Sequence, residues 1–78
     1  MVIILREAED NTLKIIFAIE VSYDTEEKTM YIMTDDNDFY VTNITDFDYR
    51  DIVYTLYEKG KIDLSDRDAY YFNEDDWD

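Results

Sequence analysis

Hydrophobic positions recur along this chain with two different periods. Residues 2–6, VIILR, are an apolar run that predicts a buried strand. Glu9, Asp10 and Asn11 predict a turn after it. In residues 12–23, TLKIIFAIEVSY, the side chains of Leu13, Ile15, Phe17, Ile19 and Val21 share one face of an extended strand, and Ile16 and Ala18 fall on the other. Apolar residues on both faces predict a strand that is central or covered on both sides. Asp24 to Glu27 predict a second turn. Residues 28–34, KTMYIMT, alternate again, with Met30, Ile32 and Thr34 opposite Tyr31 and Met33. Asp35, Asp36 and Asn37 form a third turn, and FYVT a short fourth strand. Hairpin-sized turns about ten residues apart predict an antiparallel meander over 1–42.

The period then lengthens. Tyr49, Ile52, Val53 and Leu56 lie at i, i+3, i+4 and i+7, the apolar stripe of an amphipathic helix over 45–60. Thr45 or Asp46 is placed to cap its start, Asp48 falls in its first turn and Lys59 in its last, and Gly60 supplies a left-handed stop. Beyond it, KIDL predicts a short strand, Ser65 a cap for a brief helical turn through DRDAYYF, and NEDDWD a mobile tail apart from Trp77. The expected fold is therefore α+β. It is a single domain with a four-stranded antiparallel meander packed by one amphipathic helix, and an acidic C-terminal extension over 61–78. Aromatics such as Phe47 and Tyr49 are expected in the core.

Composition alters this picture mainly through charge. Among 78 residues there are 21 acids and 7 bases, a net charge of −14. Solubility of a small domain asks for a magnitude of only about 2–8. The surplus costs stability by self-repulsion, which suggests a use: such a field repels nucleic acid and anionic membrane and attracts cationic protein surfaces. Residues 35–78 carry most of it, with fourteen acids against four bases, so the N-terminal part reads as scaffold and the rest as display surface. The apolar start is too short for a signal h-region or a membrane span, which predicts a soluble, cytoplasmic protein.

Little here supports catalysis. There is no cysteine and no histidine, so thiol chemistry, the commonest general base and the commonest transition-metal ligand are missing. Ser22 and Ser65 sit in no nucleophile motif. Twenty-one carboxylates guarantee chance pairs, so pairing alone does not mark a glycosidase. The runs DDND and DFDYRD lack the glycine at position six and the glutamate at position twelve of a helix–loop–helix calcium loop. No enzyme, cofactor or dedicated metal site is expected. The seven bases are scattered among acids and form no phosphate-binding patch.

The spacing of the acids suggests a different role. Neighbouring phosphates of one DNA strand lie about 7 Å apart through space. Carboxylates at i and i+2 on a strand face are about 6.6 Å apart, and at i and i+3 or i+4 on a helix about 5–6 Å. Asp36 and Asp38, Asp46 and Asp48, Asp48 and Asp51, and Asp66 and Asp68 have such separations. A folded frame can therefore present carboxylates to a cationic cleft that normally grips phosphate. The candidate partner-binding residues are Asp35, Asp36, Asp38, Asp46, Asp48, Asp51, Asp63, Asp66 and Asp68, with Glu74, Asp75 and Asp76 as mobile reinforcement. Eight tyrosines exceed what so small a core can bury, and exposed tyrosine beside carboxylate makes a protein-binding surface.

In its small size, its charge, its lack of Cys and His, and the runs DDNDF, TDFDYRD, DLSDRD and NEDDWD, the chain resembles the small acidic DNA-mimic proteins encoded by phages. Within that group it is most similar to early host-takeover inhibitors of the bacterial nucleoid-associated protein HU. The resemblance implies a non-enzymatic inhibitor in the cytoplasm of an infected host, directed at a basic DNA-binding protein, and often dimeric. Restriction and CRISPR nucleases are alternative targets. Exposed sheet edges independently favour a homodimer. The competing expectation is an interaction or assembly module bound through a tyrosine-rich face that includes Tyr54, Tyr57, Tyr70 or Tyr71.

Overall fold

A computed structural model of the chain describes residues 1–72. It is α+β, with one helix and a six-stranded mixed sheet. The strands are β1 (Val2–Glu7), β2 (Thr12–Phe17), β3 (Glu20–Asp24), β4 (Thr29–Met33), β5 (Asp38–Val41) and β6 (Lys61–Phe72), and α1 (Asp46–Lys59) lies between β5 and β6. The order across the sheet is β2-β1-β6-β5-β4-β3. Every neighbouring pair is antiparallel except β1 and β6, which are parallel.

The two outermost strands are consecutive in sequence. Only Ala18 and Ile19 separate β2 from β3, a link that reaches about 10 Å at most. A flat six-stranded sheet would hold its outer strands roughly 24 Å apart. The sheet therefore curls until the end of β2 and the start of β3 meet at one corner. The link bridges the two ends: Ala18 N–H donates to Met1 O at 2.7 Å, and Ile19 N–H to Met33 O at 2.7 Å.

The concave side holds the core. Ile3, Leu5, Met30, Ile32, Val41, Leu64 and Ala69 are buried there, together with Phe39, and α1 adds Ile52 and Leu56. Ile44, in the lead-in to the helix, is fully buried in the same cluster. The alternation expected over β4 and the helical stripe are both present, while β1, expected as a buried run, alternates between buried Ile3 and Leu5 and half-buried Val2 and Ile4. Thr45 is the N-cap: its hydroxyl accepts from Asp48 N–H while the Asp48 carboxylate accepts from Thr45 N–H, a reciprocal capping box. Gly60 ends the helix at φ 72°, and its N–H donates to Leu56 O.

Several expectations are corrected. The sheet has six strands rather than four, because Ala18–Ile19 breaks the stretch 12–23 into β2 and β3, and because β6 joins the sheet. Leu13, Ile15, Phe17 and Ile19 lie outside, not in a doubly covered strand, while Ile16, Ala18 and Val21 face inward. Residues 61–72 are neither an extension nor a short strand followed by a helical turn. They form one long strand at the centre of the sheet, so the C-terminal part is scaffold as well as surface. Phe47 is 80% exposed and outside the core, whereas Tyr49 packs against it. The tail, with Trp77, lies outside the described residues.

A local irregularity keeps β6 continuous. Leu5 pairs with Leu64 but Arg6 with Asp68, so Ser65, Asp66 and Arg67 bulge out of the parallel register. Arg6 fills the gap. Its Nε donates to Ser65 O at 3.1 Å, and its terminal nitrogens to Asn11 Oδ1 at 2.9 Å and Asp68 Oδ1 at 2.8 Å. On the inner side, the largely buried Glu7 carboxylate is compensated by Lys14, with Nζ 2.8 Å from Oε2.

Candidate anionic interface

The strand directions sort the predicted acids into separate groups. The β4–β5 turn carries Asp35 and Asp36, and β5 opens with Asp38. Thr34 and Asn37 close that turn through a hydrogen bond from the Thr34 hydroxyl to Asn37 O, and Tyr71 OH donates to the Asn37 side chain. The β1–β2 turn, with Glu9 and Asp10, lies at the same end of the sheet, since β1 and β6 run in parallel and Ala8 N–H donates to Ala69 O. Thr12 donates to Asp10 from both hydroxyl and backbone, holding the Asp10 carboxyl below its ordinary range.

A second group gathers at the helix start, and three of its five acids are not among the candidates. Ile44 N–H donates to Lys28 O at 2.9 Å and Lys28 Nζ lies 3.7 Å from Asp46, so the β3–β4 turn is stitched to the helix lead-in. That contact brings the β3–β4 turn, which carries Asp24, Glu26 and Glu27, to the same end of the sheet as Asp46 and Asp48. No sequence spacing signals this, because the two segments lie about twenty residues apart and meet only through the sheet. The Tyr23 hydroxyl reports the crowding. It donates to Ile44 O, its ring stacks on Tyr49 at 4.6 Å, and its pKa is raised first by burial and then by Asp46, Asp48 and Asp24.

Between the two ends, Asp63 and Asp68 point outward from β6 and Asp66 projects from the bulge, all exposed. Asp51 lies on the exposed side of α1. The predicted acids thus form two poles and an outward line along β6, not one patch. Glu74, Asp75 and Asp76 lie outside the described residues.

Four of these carboxylates are already engaged within the fold. Asp48 is held below its ordinary pKa chiefly by the Thr45 hydroxyl and amide, then by Arg67, whose guanidinium lies 3.5 Å away. Asp46 pairs with Lys28, and Asp68 with Arg6 at 2.8 Å. Asp63 is lowered by hydrogen bonding to Ser65, whose N–H donates to it at 2.9 Å. Asp35, Asp36, Asp38, Asp51 and Asp66 make no ion pair among the described residues.

Aromatics share the outer surface. Tyr31, Tyr40 and Tyr70 stand directly opposite one another on β4, β5 and β6. Their ring centroids are 6.3 and 5.2 Å apart. Burial, then Glu27 and Asp24, raises the Tyr31 pKa. No helix among the described residues is long and apolar enough to cross a membrane. No protein-family model matches the chain, and no curated protein or solved structure matches it either.

Proposed function

We propose that this protein is a DNA-mimic inhibitor that occupies the DNA-binding surface of a basic host protein, with the nucleoid-associated protein HU first among the candidates. The observation that carries the reading is a net charge of −14 on a curled, helix-packed sheet whose carboxylates stand at both strand ends and along β6. A rigid frame holds them apart at no further entropic cost on binding, as a duplex does its phosphates. The acids make no catalytic demand in this role. They replace phosphate oxygens opposite arginine and lysine.

A homodimer is part of the same proposal. Leu13, Ile15 and Phe17 are 66–73% exposed on the outer face of β2, beside the half-buried Val2 and Ile4 of β1. Segment 11–19 is also the longest stretch of the chain without an acid. Two strongly anionic copies meet at least cost where the charge is lowest, and pairing there lengthens the anionic surface.

The test is displacement of a labelled duplex from HU at about 50 and 300 mM salt, within the range where exposed charges become strongly screened. Displacement should be strong at low salt and weak at high salt. Failure to displace at either salt would overturn the proposal for this target. The informative variant is Asp35→Lys with Asp36→Lys and Asp66→Lys, because these acids have no ion pair among the described residues to lose. Reversing Asp46 and Asp48 would damage the helix cap as well. A salt-insensitive complex lost with Tyr54→Ala and Tyr57→Ala would favour the plain interaction module instead.

A further inference from the structure

The solvent crest of α1 is not built like an ordinary charged helix face. Successive crest positions, at i, i+4, i+7 and i+11, are Phe47, Asp51, Tyr54 and Glu58. They lie opposite the buried Ile52 and Leu56. Phe47 is 80% exposed and Tyr54 65%. Rings and carboxylates therefore alternate along about 16 Å of helix. Neither Asp51 nor Glu58 has an ion pair among the described residues, in contrast to Asp46 and Asp48. The rings are not needed by the core, since nothing in the buried cluster includes them.

We infer that this crest is an arginine-recognition surface, on which guanidinium groups of a cationic partner segment stack against Phe47 and Tyr54 while pairing with Asp51 and Glu58. The inference rests on the proposed cationic partner and specifies how part of that partner is read. A carboxylate alone accepts lysine and arginine alike. A carboxylate beside an exposed ring favours the planar, weakly hydrated guanidinium, which pairs with the acid at its edge and lies on the ring with its face. Asp51 and Glu58 are seven residues apart, so the two arginines served would stand about 10 Å from each other. Charge complementarity selects the occupant: the molecule repels anionic partners, and the crest carries acids between its rings.

The test uses the full chain and two probes, an octa-arginine and an octa-lysine peptide, titrated at about 150 mM salt. Binding is followed by amide and aromatic-ring chemical shifts. The expected result is roughly tenfold tighter binding of the arginine peptide, with the largest shifts at Phe47, Asp51, Tyr54 and Glu58. Phe47→Leu with Tyr54→Leu keeps apolar area on an exposed face and removes the ring faces. It should bring the two peptides to equal affinity while circular dichroism stays unchanged. Equal affinity of both peptides for the parent, or shifts confined to the turn ends, overturns the crest assignment and leaves the anionic-mimic reading standing. Binding of neither peptide overturns both.

Discussion

Asp48 serves both as the helix's capping carboxylate and as the partner of Arg67, and both contacts favour its ionised form. The sign of its pH effect follows directly. Its proton affinity is lower in the folded chain than in the unfolded one, so the unfolded chain takes up the proton first as the pH falls. The stability it contributes is intact above about pH 4, the ordinary aspartate value, and is lost as the pH drops through the lower folded value. Asp10 and Asp63 act in the same sense. Relief of carboxylate repulsion opposes this loss, so the useful quantity is a difference between proteins. Asp48→Asn should lose less melting temperature than the parent between pH 5 and pH 3, measured by circular dichroism; parallel losses would contradict the assignment. Tyr23 and Tyr31 govern the alkaline side. Both pKa values are raised, so their neutral forms support the fold below about pH 10 and that support is lost as the pH rises through the folded values. A phenolate absorbance titration should show a late component that shrinks in Tyr23→Phe and again when Tyr31→Phe is added.

Among the elements, α1 was readable to within a residue because its signals are local: a cap, an apolar stripe of period 3.6, and a glycine. Gly60 isolates the last of these. A Cβ built there meets nothing within 4 Å, and φ is +72°, so the cost of Gly60→Ala is conformational alone. We expect about 1 kcal/mol of destabilisation in urea unfolding, and a smaller loss for Gly60→Asn, which tolerates the left-handed region. β1, β4 and β5 were legible for the same reason, as an apolar run, an alternation or a turn needs only neighbours in sequence. β6 was not. Ser65-Asp66-Arg67 breaks its alternation, and the side chain that bridges the bulge is Arg6, about sixty residues earlier. Arg6→Lys keeps the charge but cannot reach Ser65, Asn11 and Asp68 together. Loss of amide hydrogen-exchange protection around residues 64–69 is the expected outcome, and protection equal to the parent would contradict that role. β2 misled in another way. Its apolar face is real, but nothing among the described residues covers it, and alternation reports which residues share a face without saying which face is inside.

Across the whole molecule, the same charge acts in opposite directions on folding and on binding. Exposed carboxylates repel one another within the fold, and salt screens them over about 10 Å at 0.1 M. Raising sodium chloride from about 0.05 to 0.5 M should raise the melting temperature while weakening capture of a cationic partner. A melting temperature that falls over that range would mean that attraction between the acids and Lys or Arg outweighs their mutual repulsion. The proposed dimer belongs to this scale too. Phe17→Asp should shift sedimentation at micromolar concentration toward monomer without altering the circular dichroism spectrum. The total charge was legible from composition, but its division into poles was not. The pole at the helix start depends on Lys28 and Ile44 meeting, and that meeting is a product of the β3–β5 meander.

The position of β6 also bears on how the protein is made. The strand that joins the β1–β2 hairpin to the β3–β5 meander is the last of the six to be synthesised. While it is still inside the ribosome, the two earlier units share only the Ala18–Ile19 link and have no common sheet to complete. Folding then waits until β6 has emerged, and a product terminated after Gly60 should lack a native core. Proteolysis of stalled nascent chains would reveal this as resistance appearing only once residue 72 has cleared the exit tunnel.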